Sequence, residues 1–382
     1  MNIDMKKILQ IVIKDKPIDL LQSDYKKMLS LFSFHHLENW LYYAAKKGVF
    51  SLTKEEWINL EKIHATAIYK ALIQEEELKS ISILFSENGI PFLPLKGSIL
   101  RKWYPSSDLR SMADLDILIP KSDFKKVKSI FPSLGYTLKN EGGNHDVYHK
   151  LPFMNIEIHQ NMMDESYALS SYYQDIWLKV KVKNQGSTEL ELTDEDFYLF
   201  VIAHGAKHFN NGGTGVRFLL DIYFILKQYP NLNRAYLTQE LQKMGLIAFE
   251  EQMRKLANGW IDDTPLNEED KTISDYIVRS GAYGTVQHAI TSQLSIHDEI
   301  LRFSQKKWAY LWKKAFPPYS VMKRAFPGLR FVPFLLPFFY GFRIVRAIFK
   351  GSVFLHTKNM KNIKKEDIEN QQKIKEKVGR SV

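Results

Sequence analysis

Three short segments of this chain carry residue types that suit chemistry at phosphorus: Leu95-Lys96-Gly97-Ser98, Arg110 to Asp116, and Ile156-Glu157-Ile158-His159. Asp114 and Asp116 alternate along a predicted strand and therefore share one of its faces. Glu157 and His159 share a face of a second strand for the same reason. If the two strands are neighbours, three carboxylates converge, and such a concentration of negative charge requires a cation to offset it.

Carboxylate oxygens are ligands that suit Mg²⁺ or Mn²⁺, and a nucleoside triphosphate can supply further oxygens. Two such ions about 4 Å apart can stabilise both the attacking and the leaving oxygen of a displacement at phosphorus. We therefore predict Asp114, Asp116 and Glu157 as catalytic residues and metal ligands. Glu157 is expected to hold the ion that carries the nucleophile or to help remove the proton of that nucleophile.

The segment around Gly97 is expected to bind phosphate. Gly97 and Ser98 lie where a predicted strand gives way to a helix, and exposed backbone N–H groups at such a junction attract anions. A glycine there lets a phosphate approach closely. Lys96 adds positive charge, and Arg110 is expected to pair with a phosphate or to orient a carboxylate.

A second polar cluster follows in a predicted helix. His204, Lys207 and His208 stand at positions i, i+3 and i+4 and share a helix face. Either they line the nucleotide cleft, or they form a buried polar network that docks the helical domain, with Asp221 pairing with Arg217. A zinc site at the two histidines would need a third ligand, and none is evident. The residues that we assign to nucleotide binding are Lys96, Gly97, Ser98, Arg110, His159, His204, Lys207 and His208.

The elements that must position these residues suggest an α+β fold, in which a small mixed β-sheet is flanked by N-terminal and C-terminal helical regions. A capping box at Thr53 and Glu56 begins a long helix. The segment 113–119 is a predicted strand, and a hairpin is expected around Pro152. The predicted units are an N-terminal helical region (1–88), a catalytic core (89–190), a helical domain (191–300), a basic aromatic segment (301–357) and a polar tail (358–382).

The composition is that of an ordinary folded protein of 382 residues with a net charge of +10. Because there is no cysteine, disulfides and thiolate chemistry are excluded. The longest apolar run, Phe331 to Phe342, is too short to span a bilayer as a helix, which takes about 20 residues. No signal peptide is recognised at the N-terminus, and a cytoplasmic location is expected.

The basic character belongs to the C-terminal fifth of the chain. Residues 302–382 contain 19 lysines and arginines against 4 acidic residues, and there is no acidic residue from Arg302 to Lys358. Aromatic residues alternate with these cations over 302–350. The segment is expected to lie peripherally on an anionic membrane surface, to bind nucleic acid, which is less favoured, or to pack on the catalytic core with its cations in water. The tail beyond it is compatible with a frayed helix or disorder.

The motifs together resemble the uncharacterised nucleotidyltransferase family of the polymerase-β-like superfamily. The resemblance covers roughly residues 35 to 350. It implies a nucleotidyltransferase core with metal-binding carboxylates at Asp114, Asp116 and Glu157. One departure from the wider superfamily is the long spacing between Ser98 and Asp114. The matching residues are Leu95-Lys96-Gly97, Tyr104-Pro105, Arg110, Asp114-Leu115-Asp116, Glu157-Ile158-His159, His204, Lys207, His208, Arg217 and Asp221.

The expected activity is metal-dependent transfer of a nucleoside monophosphate from a nucleoside triphosphate to an acceptor hydroxyl, with release of pyrophosphate. The acceptor is open and includes a small molecule, a glycan precursor or a protein hydroxyl modified by adenylylation. The alternative is a non-catalytic protein on the same fold that binds nucleotide or docks at a membrane surface.

Overall fold

The computed structural model describes residues 2–14, 24–296, 303–349 and 352–379. Its N-terminal part is helical, as predicted. The longest helix there begins with the predicted capping box, in which Thr53 Oγ1 accepts from the Glu56 N–H and the Glu56 carboxylate accepts from the Thr53 N–H. The N-terminal helices are α1 (Asn2–Lys14), α2 (Tyr25–Phe34), α3 (Trp40–Lys46) and α4 (Lys54–Glu87).

A mixed five-stranded sheet follows α4 and confirms the predicted α+β class. Its strands are arranged in the order β1-β2-β5-β4-β3, with β2 and β5 parallel and the other neighbours antiparallel. Two short helices lie between the strands. The elements of this part are β1 (Leu93–Pro94), α5 (Gly97–Leu100), β2 (Leu115–Leu118), α6 (Phe124–Ile130), β3 (Thr137–Asn140), β4 (His145–Lys150) and β5 (Met154–His159).

The sheet has one apolar and one polar face because its strands alternate. Ile117, Ile156 and Ile158 are buried in a core that includes Phe85 of α4 and Val127 of α6. The acidic side chains point to the opposite face. The strand that precedes Gly97 is short, Leu93–Pro94, and its proline cannot donate to a ladder.

The predicted hairpin around Pro152 is present as β4 and β5. Its register pairs Val147 with Glu157 and His145 with His159. On the other side, β5 aligns with β2 so that Glu157 lies beside Asp116. This alignment brings the second acidic motif next to the first.

A helical half packs beside the sheet. Thr193 precedes its first helix, and Thr193 Oγ1 accepts a hydrogen bond from the Asp196 N–H. A short ladder of β6 (Lys181–Val182) and β7 (Leu190–Glu191) precedes it. The helices are α7 (Asp194–Asn211), α8 (Val216–Gln228), α9 (Arg234–Met244), α10 (Ile247–Ile261), α11 (Glu268–Ser280) and α12 (Val286–Ile296).

The C-terminal part is helical throughout its described residues, including most of the predicted polar tail. The tail is ordered because Ile368, Gln371, Ile374 and Val378 recur at helical spacing and are buried together. The predicted boundary at 300/301 lies outside the described residues, and the unit boundaries remain predictions. The helices are α13 (Phe303–Ala315), α14 (Tyr319–Ala325), α15 (Leu336–Phe349), α16 (Ser352–Asn362) and α17 (Lys365–Lys377). Among the described residues, none of the helices combines the length and the apolar character that crossing a bilayer requires.

Candidate active site

A cleft of about 710 Å³ lies between the polar face of the sheet and helices α7 and α8. The predicted site residues come from segments more than a hundred residues apart, yet all of them except Ser98 line this cleft. The predicted residues that line it are Lys96, Gly97, Arg110, Asp114, Asp116, Glu157, His159, His204, Lys207 and His208.

Three carboxylates form the acidic wall of the cleft. Asp114, Asp116 and Glu157 each place one carboxylate oxygen within 4.8 Å of the oxygens of the other two. Asp114 stands one residue before β2, while the other two are paired across β2 and β5. Burial, reinforced by the charges of Asp116 and Glu157, raises the pKa of Asp114 to about 6.

Asp116 is the buried centre of this wall. Lys96 Nζ lies 3.0 Å from its Oδ2 and His159 Nε2 lies 2.8 Å from its Oδ1. Burial alone would raise the pKa of Asp116, but the neighbouring Lys96 and His159 outweigh it and hold that pKa well below its usual range. Lys96 reaches Asp116 because β1 runs beside β2, where the Leu95 N–H donates to the Asp116 carbonyl. Lys96 itself has a positive φ of 39°, a conformation that non-glycine residues rarely adopt.

Two histidines flank Glu157. The Nε2 atoms of His145 and His159 each lie 3.5 Å from Glu157 Oε2. The hydrogen bond with His159 lowers the pKa of Glu157, and this effect is larger than the opposing effect of burial on that pKa. Burial lowers the pKa of His159, but its hydrogen bonds to Asp116 and Glu157 outweigh this effect and raise it. For His145, burial is the main cause of a lowered pKa.

Helix α7 supplies the opposite, basic wall. His204 Nε2 lies 3.0 Å from Lys96 Nζ and 3.3 Å from His208 Nε2. Burial, with Lys96 next, holds the pKa of His204 well below its ordinary value, and burial lowers that of His208 to about 4. Burial and the charge of Lys96 likewise lower the pKa of Lys207. Helix α7 therefore contributes basic and neutral side chains, and no carboxylate, to this part of the cleft.

Arg110 is held by Asp221 of α8 and not by Asp114. Its Nε and Nη2 donate to the two Asp221 oxygens at 2.7 and 2.9 Å, and Tyr104 Oη donates to Asp221 Oδ1 at 2.7 Å. The alternative pairing of Asp221 with Arg217 is wrong, because Arg217 Nη1 donates to the Ser111 carbonyl. Arg110 therefore fixes the loop before β2 to the helical half, and a direct phosphate contact would require it to leave this ion pair.

Gly97 and Ser98 have structural surroundings that the sequence did not predict. A Cβ at Gly97 would lie 2.6 Å from Met112 Sδ and 3.0 Å from Arg110 Nη1. Because Gly97 has no side chain, the loop before β2 can pack closely against it. Ser98 is buried, and its Oγ donates to the Leu95 carbonyl at 3.2 Å. The Ser98 side chain therefore does not line the cleft, and the structure does not support its predicted role in a phosphate site.

Several residues of the cleft were absent from the prediction. His145 could have been found, since a hairpin centred on Pro152 places it opposite His159. Tyr167 and Tyr283 lie in loops with no local signal. Lys207 Nζ stands 4.7 Å from the centre of the Tyr167 ring, and the Arg217 guanidinium 5.2 Å from that of Tyr283.

A smaller cavity of about 460 Å³ adjoins the cleft through Ser111 and Met112, which line both. Lys70 and Arg101 contribute positive charge to its wall. Arg101 is buried, and its Nε has no hydrogen-bond partner within the described protein. Burial, followed by the charge of Arg110, lowers the pKa of Arg101 to about 10.

The acidic wall fits divalent cations. Its donor set is three carboxylates, the ligand type that Mg²⁺ and Mn²⁺ accept. The raised pKa of Asp114 reflects burial and negative charge that the neighbouring cations leave uncompensated. A cation between Asp114 and Glu157 would offset that charge.

Comparison with known proteins agrees with this geometry. The model of a family described as an uncharacterised nucleotidyltransferase matches residues 22–262. The chain belongs to this family. The match includes the whole cleft except Ala282 and Tyr283, and it supports a general nucleotidyl-transfer activity. No curated protein and no solved structure matches the chain significantly.

Proposed function

We propose that this member of the nucleotidyltransferase family is a metal-dependent enzyme that moves a nucleoside monophosphate from a nucleoside triphosphate to a hydroxyl acceptor. The acceptor oxygen forms a bond to the α-phosphorus while the bond between that phosphorus and the β-phosphate oxygen breaks, and pyrophosphate leaves. The observation that carries the proposal is the presence, in one cleft, of three clustered carboxylates opposite the cations Lys207 and Arg217.

Asp114, Asp116 and Glu157 would hold two Mg²⁺ or Mn²⁺ ions. Bound ions of this kind offset charge on the phosphates and orient the reacting oxygens. Lys96, Lys207 and Arg217 of the cleft then provide positive charge for the remaining phosphate oxygens.

The proton of the acceptor hydroxyl passes to Glu157. Its Oε2 is 3.5 Å from His145 Nε2, and this ring gives the proton a route away from the reacting atoms. Because burial lowers the pKa of His145, this ring is neutral near pH 7 and can accept a proton.

The aromatic rings of the cleft suit the base of the nucleotide. The Tyr283 ring is half exposed, and the Arg217 guanidinium lies over it. A base stacked on this ring would leave the triphosphate directed toward α7 and the sheet. Purines and pyrimidines both offer a face for such stacking, so the contact selects no particular base.

The acceptor would approach from the smaller cavity. Its shared wall at Ser111 and Met112 borders the loop that carries Asp114, and the charge of Asp114 acts on Lys70 of that cavity. This arrangement leaves the larger cleft for the triphosphate. It also gives the acceptor a separate entrance.

The test measures transfer of label from each of four α-labelled nucleoside triphosphates into cell extract with Mg²⁺. We expect Asp114→Asn and Asp116→Asn each to lower the rate by roughly 10²-fold or more, because each removes charge that positions the metals. Glu141→Gln, which changes an exposed carboxylate paired with Lys128, serves as the matched control. Undiminished transfer in both aspartate variants would refute the proposal.

The competing function is nucleotide binding without transfer. Calorimetry with Mg²⁺ and each triphosphate separates the two, because a binding protein would show saturable heat and no labelled product in the same preparation. The intact carboxylate cluster favours the enzyme, since nucleotide binding alone does not need three converging acids.

A further inference from the structure

Helices α13 and α15 present large apolar side chains to solvent. Trp308 and Trp312 are 73% and 67% exposed, and Phe338 and Phe349 are 67% and 87% exposed. Helix α15 has no buried residue. Contiguous apolar surface of this kind on a folded protein marks a binding surface for another molecule or a membrane.

The exposed side chains follow helical spacing on each of the two helices. Trp308 and Trp312 are one turn apart on α13, and Phe338, Phe342, Val345 and Phe349 lie at i, i+4, i+7 and i+11 on α15. We call these six residues the aromatic surface. Phe316 and Tyr340, whose ring centres are 5.3 Å apart, join the two helices.

The opposite side of α13 is firmly attached to the rest of the protein. Tyr310 is buried with Ile290 and Leu294 of α12 and with Met360 and Ile363. Lys307 Nζ donates to the Met360 and Ile363 carbonyls at 2.8 and 3.0 Å. The two indoles Trp308 and Trp312 therefore lie on the outer side of a helix whose inner side is already packed.

The charges carried by this segment have one sign. The segment 303–349 contains nine lysines and arginines and no acidic residue. Lys314, Arg330 and Arg346 are exposed. Arg343 donates to the backbone carbonyls of Lys314 and Ala315, so its charge is not neutralised by that contact.

We propose that the aromatic surface lies on the face of an anionic lipid bilayer. Its rings and aliphatic side chains would enter the boundary between headgroups and acyl chains, while the flanking cations contact lipid phosphates. A second copy is disfavoured because a two-fold contact would bring cationic surfaces together. Nucleic acid is disfavoured because Val345 and Ile348 would gain nothing from base stacking.

Flotation of the full chain with vesicles tests the proposal. We expect binding to vesicles of phosphatidylcholine and phosphatidylglycerol, little binding to phosphatidylcholine alone, and weakening with salt. Arg346→Gln should lower the partition coefficient roughly fivefold, the effect of removing one cation near a charged surface. Phe338→Ser combined with Phe342→Ser should lower it further. The matched control is Leu72→Ser with Ile83→Ser, which removes exposed apolar side chains from α4.

Brominated acyl chains give a second readout. They should quench the fluorescence of the native protein more than that of Trp308→Phe with Trp312→Phe, because only those two indoles are expected to enter the bilayer. Unchanged thermal unfolding of each variant shows that a loss of binding is not a loss of fold.

Three outcomes would overturn the proposal. The first is failure to bind anionic vesicles at low salt. The second is displacement from vesicles by a nucleic-acid duplex whose own binding depends on Phe338 and Phe342. The third is a dimer in solution that dissociates in the same double variant while the native protein stays off vesicles. None of these measurements depends on nucleotidyl transfer, so the enzyme assignment stands or falls separately.

Discussion

At the scale of single residues, the acidic wall combines function with instability. Asp116 is compensated by Lys96 and His159, and Glu157 by two histidines. Asp114 has no such partner at ion-pair distance within the described residues, and it faces two like charges. A group held in this way weakens the fold unless a cation is bound, which is the expected cost of a metal site built from carboxylates.

This asymmetry predicts that Asp114→Asn stabilises the protein when divalent ions are removed. The substitution takes one charge out of a cluster of three, and the gain should be of the order of 1 kcal/mol. Mg²⁺ or Mn²⁺ should raise the unfolding temperature of the native protein, because a ligand that binds only the folded state stabilises it. The variant should lose most of that response.

Thermal unfolding with and without a chelator measures both effects. Glu141→Gln is the control and should keep the metal response, since its carboxylate lies outside the cluster. If Asp114→Asn is destabilised without metal and still responds fully to it, the three carboxylates do not act as one charged cluster.

The carboxylates could be predicted from the sequence because strand alternation alone places Asp114 with Asp116 and Glu157 with His159. The partners of Arg110 and the burial of Ser98 could not. They depend on how the loop before β2 packs against α5 and α8, and no local pattern encodes that contact. His145 is an intermediate case, because the predicted hairpin around Pro152 implies that His145 lies opposite His159.

At the scale of elements, one buried histidine connects the N-terminal helices with the helical half. His35, at the end of α2, connects two other helices: its Nε2 is 3.0 Å from the Val278 carbonyl of α11, and its Nδ1 is 3.3 Å from the Val216 N–H that begins α8. Only the tautomer with the proton on Nε2 satisfies both contacts. Protonation would place a second N–H against the Val216 N–H.

This geometry makes the junction sensitive to acid. Burial, with smaller effects of Arg217 and His36, lowers the pKa of His35 to about 4. Because the pKa is lower in the folded state than the ordinary 6.5, the unfolded chain binds the proton more readily. The stability contribution is therefore present above pH 6.5 and is lost as the pH falls toward 4. Its full size is about 3 kcal/mol, at about 1.4 kcal/mol for each unit of pKa.

His35→Gln should flatten the rise of unfolding free energy with pH between 4 and 6.5. Glutamine can donate to one backbone partner and accept from the other without titrating. The slope should decrease and not vanish, because burial also lowers the pKa values of His204 and His208. Denaturant unfolding at a series of pH values measures this slope, and His149→Gln, a change at an exposed histidine, is the control. An unchanged slope in the His35 variant would show that this junction does not titrate.

At the scale of the whole molecule, the α+β class with a small mixed sheet and helical flanks was predicted correctly from the sequence. For the tail, the sequence left a frayed helix and disorder open, because lysine and glutamate dominate its composition while few apolar residues determine its packing. The structure shows a helix at Lys365–Lys377. Ile374 and Val378 join the large core of the helical half, and Gln371 Nε2 donates to Tyr276 Oη of α11 at 3.0 Å. Helix α17 therefore packs on this large core, although it lies beyond the family match.

Ile374 of α17 and Ile348 of α15 allow an effect on folding to be distinguished from an effect on membrane binding. Ile374 is 7% exposed and Ile348, beside the aromatic surface, is 59% exposed. Ile374→Ala leaves a cavity in the core and should cost about 2 kcal/mol or more, while vesicle binding at a temperature where it remains folded should persist. Ile348→Ala should change stability by less than about 0.5 kcal/mol yet reduce vesicle partitioning. Denaturant unfolding and flotation of both variants test this opposition. Equal losses of stability would mean that α15 is packed and not exposed, and an unaffected Ile374 variant would mean that α17 does not dock on the core.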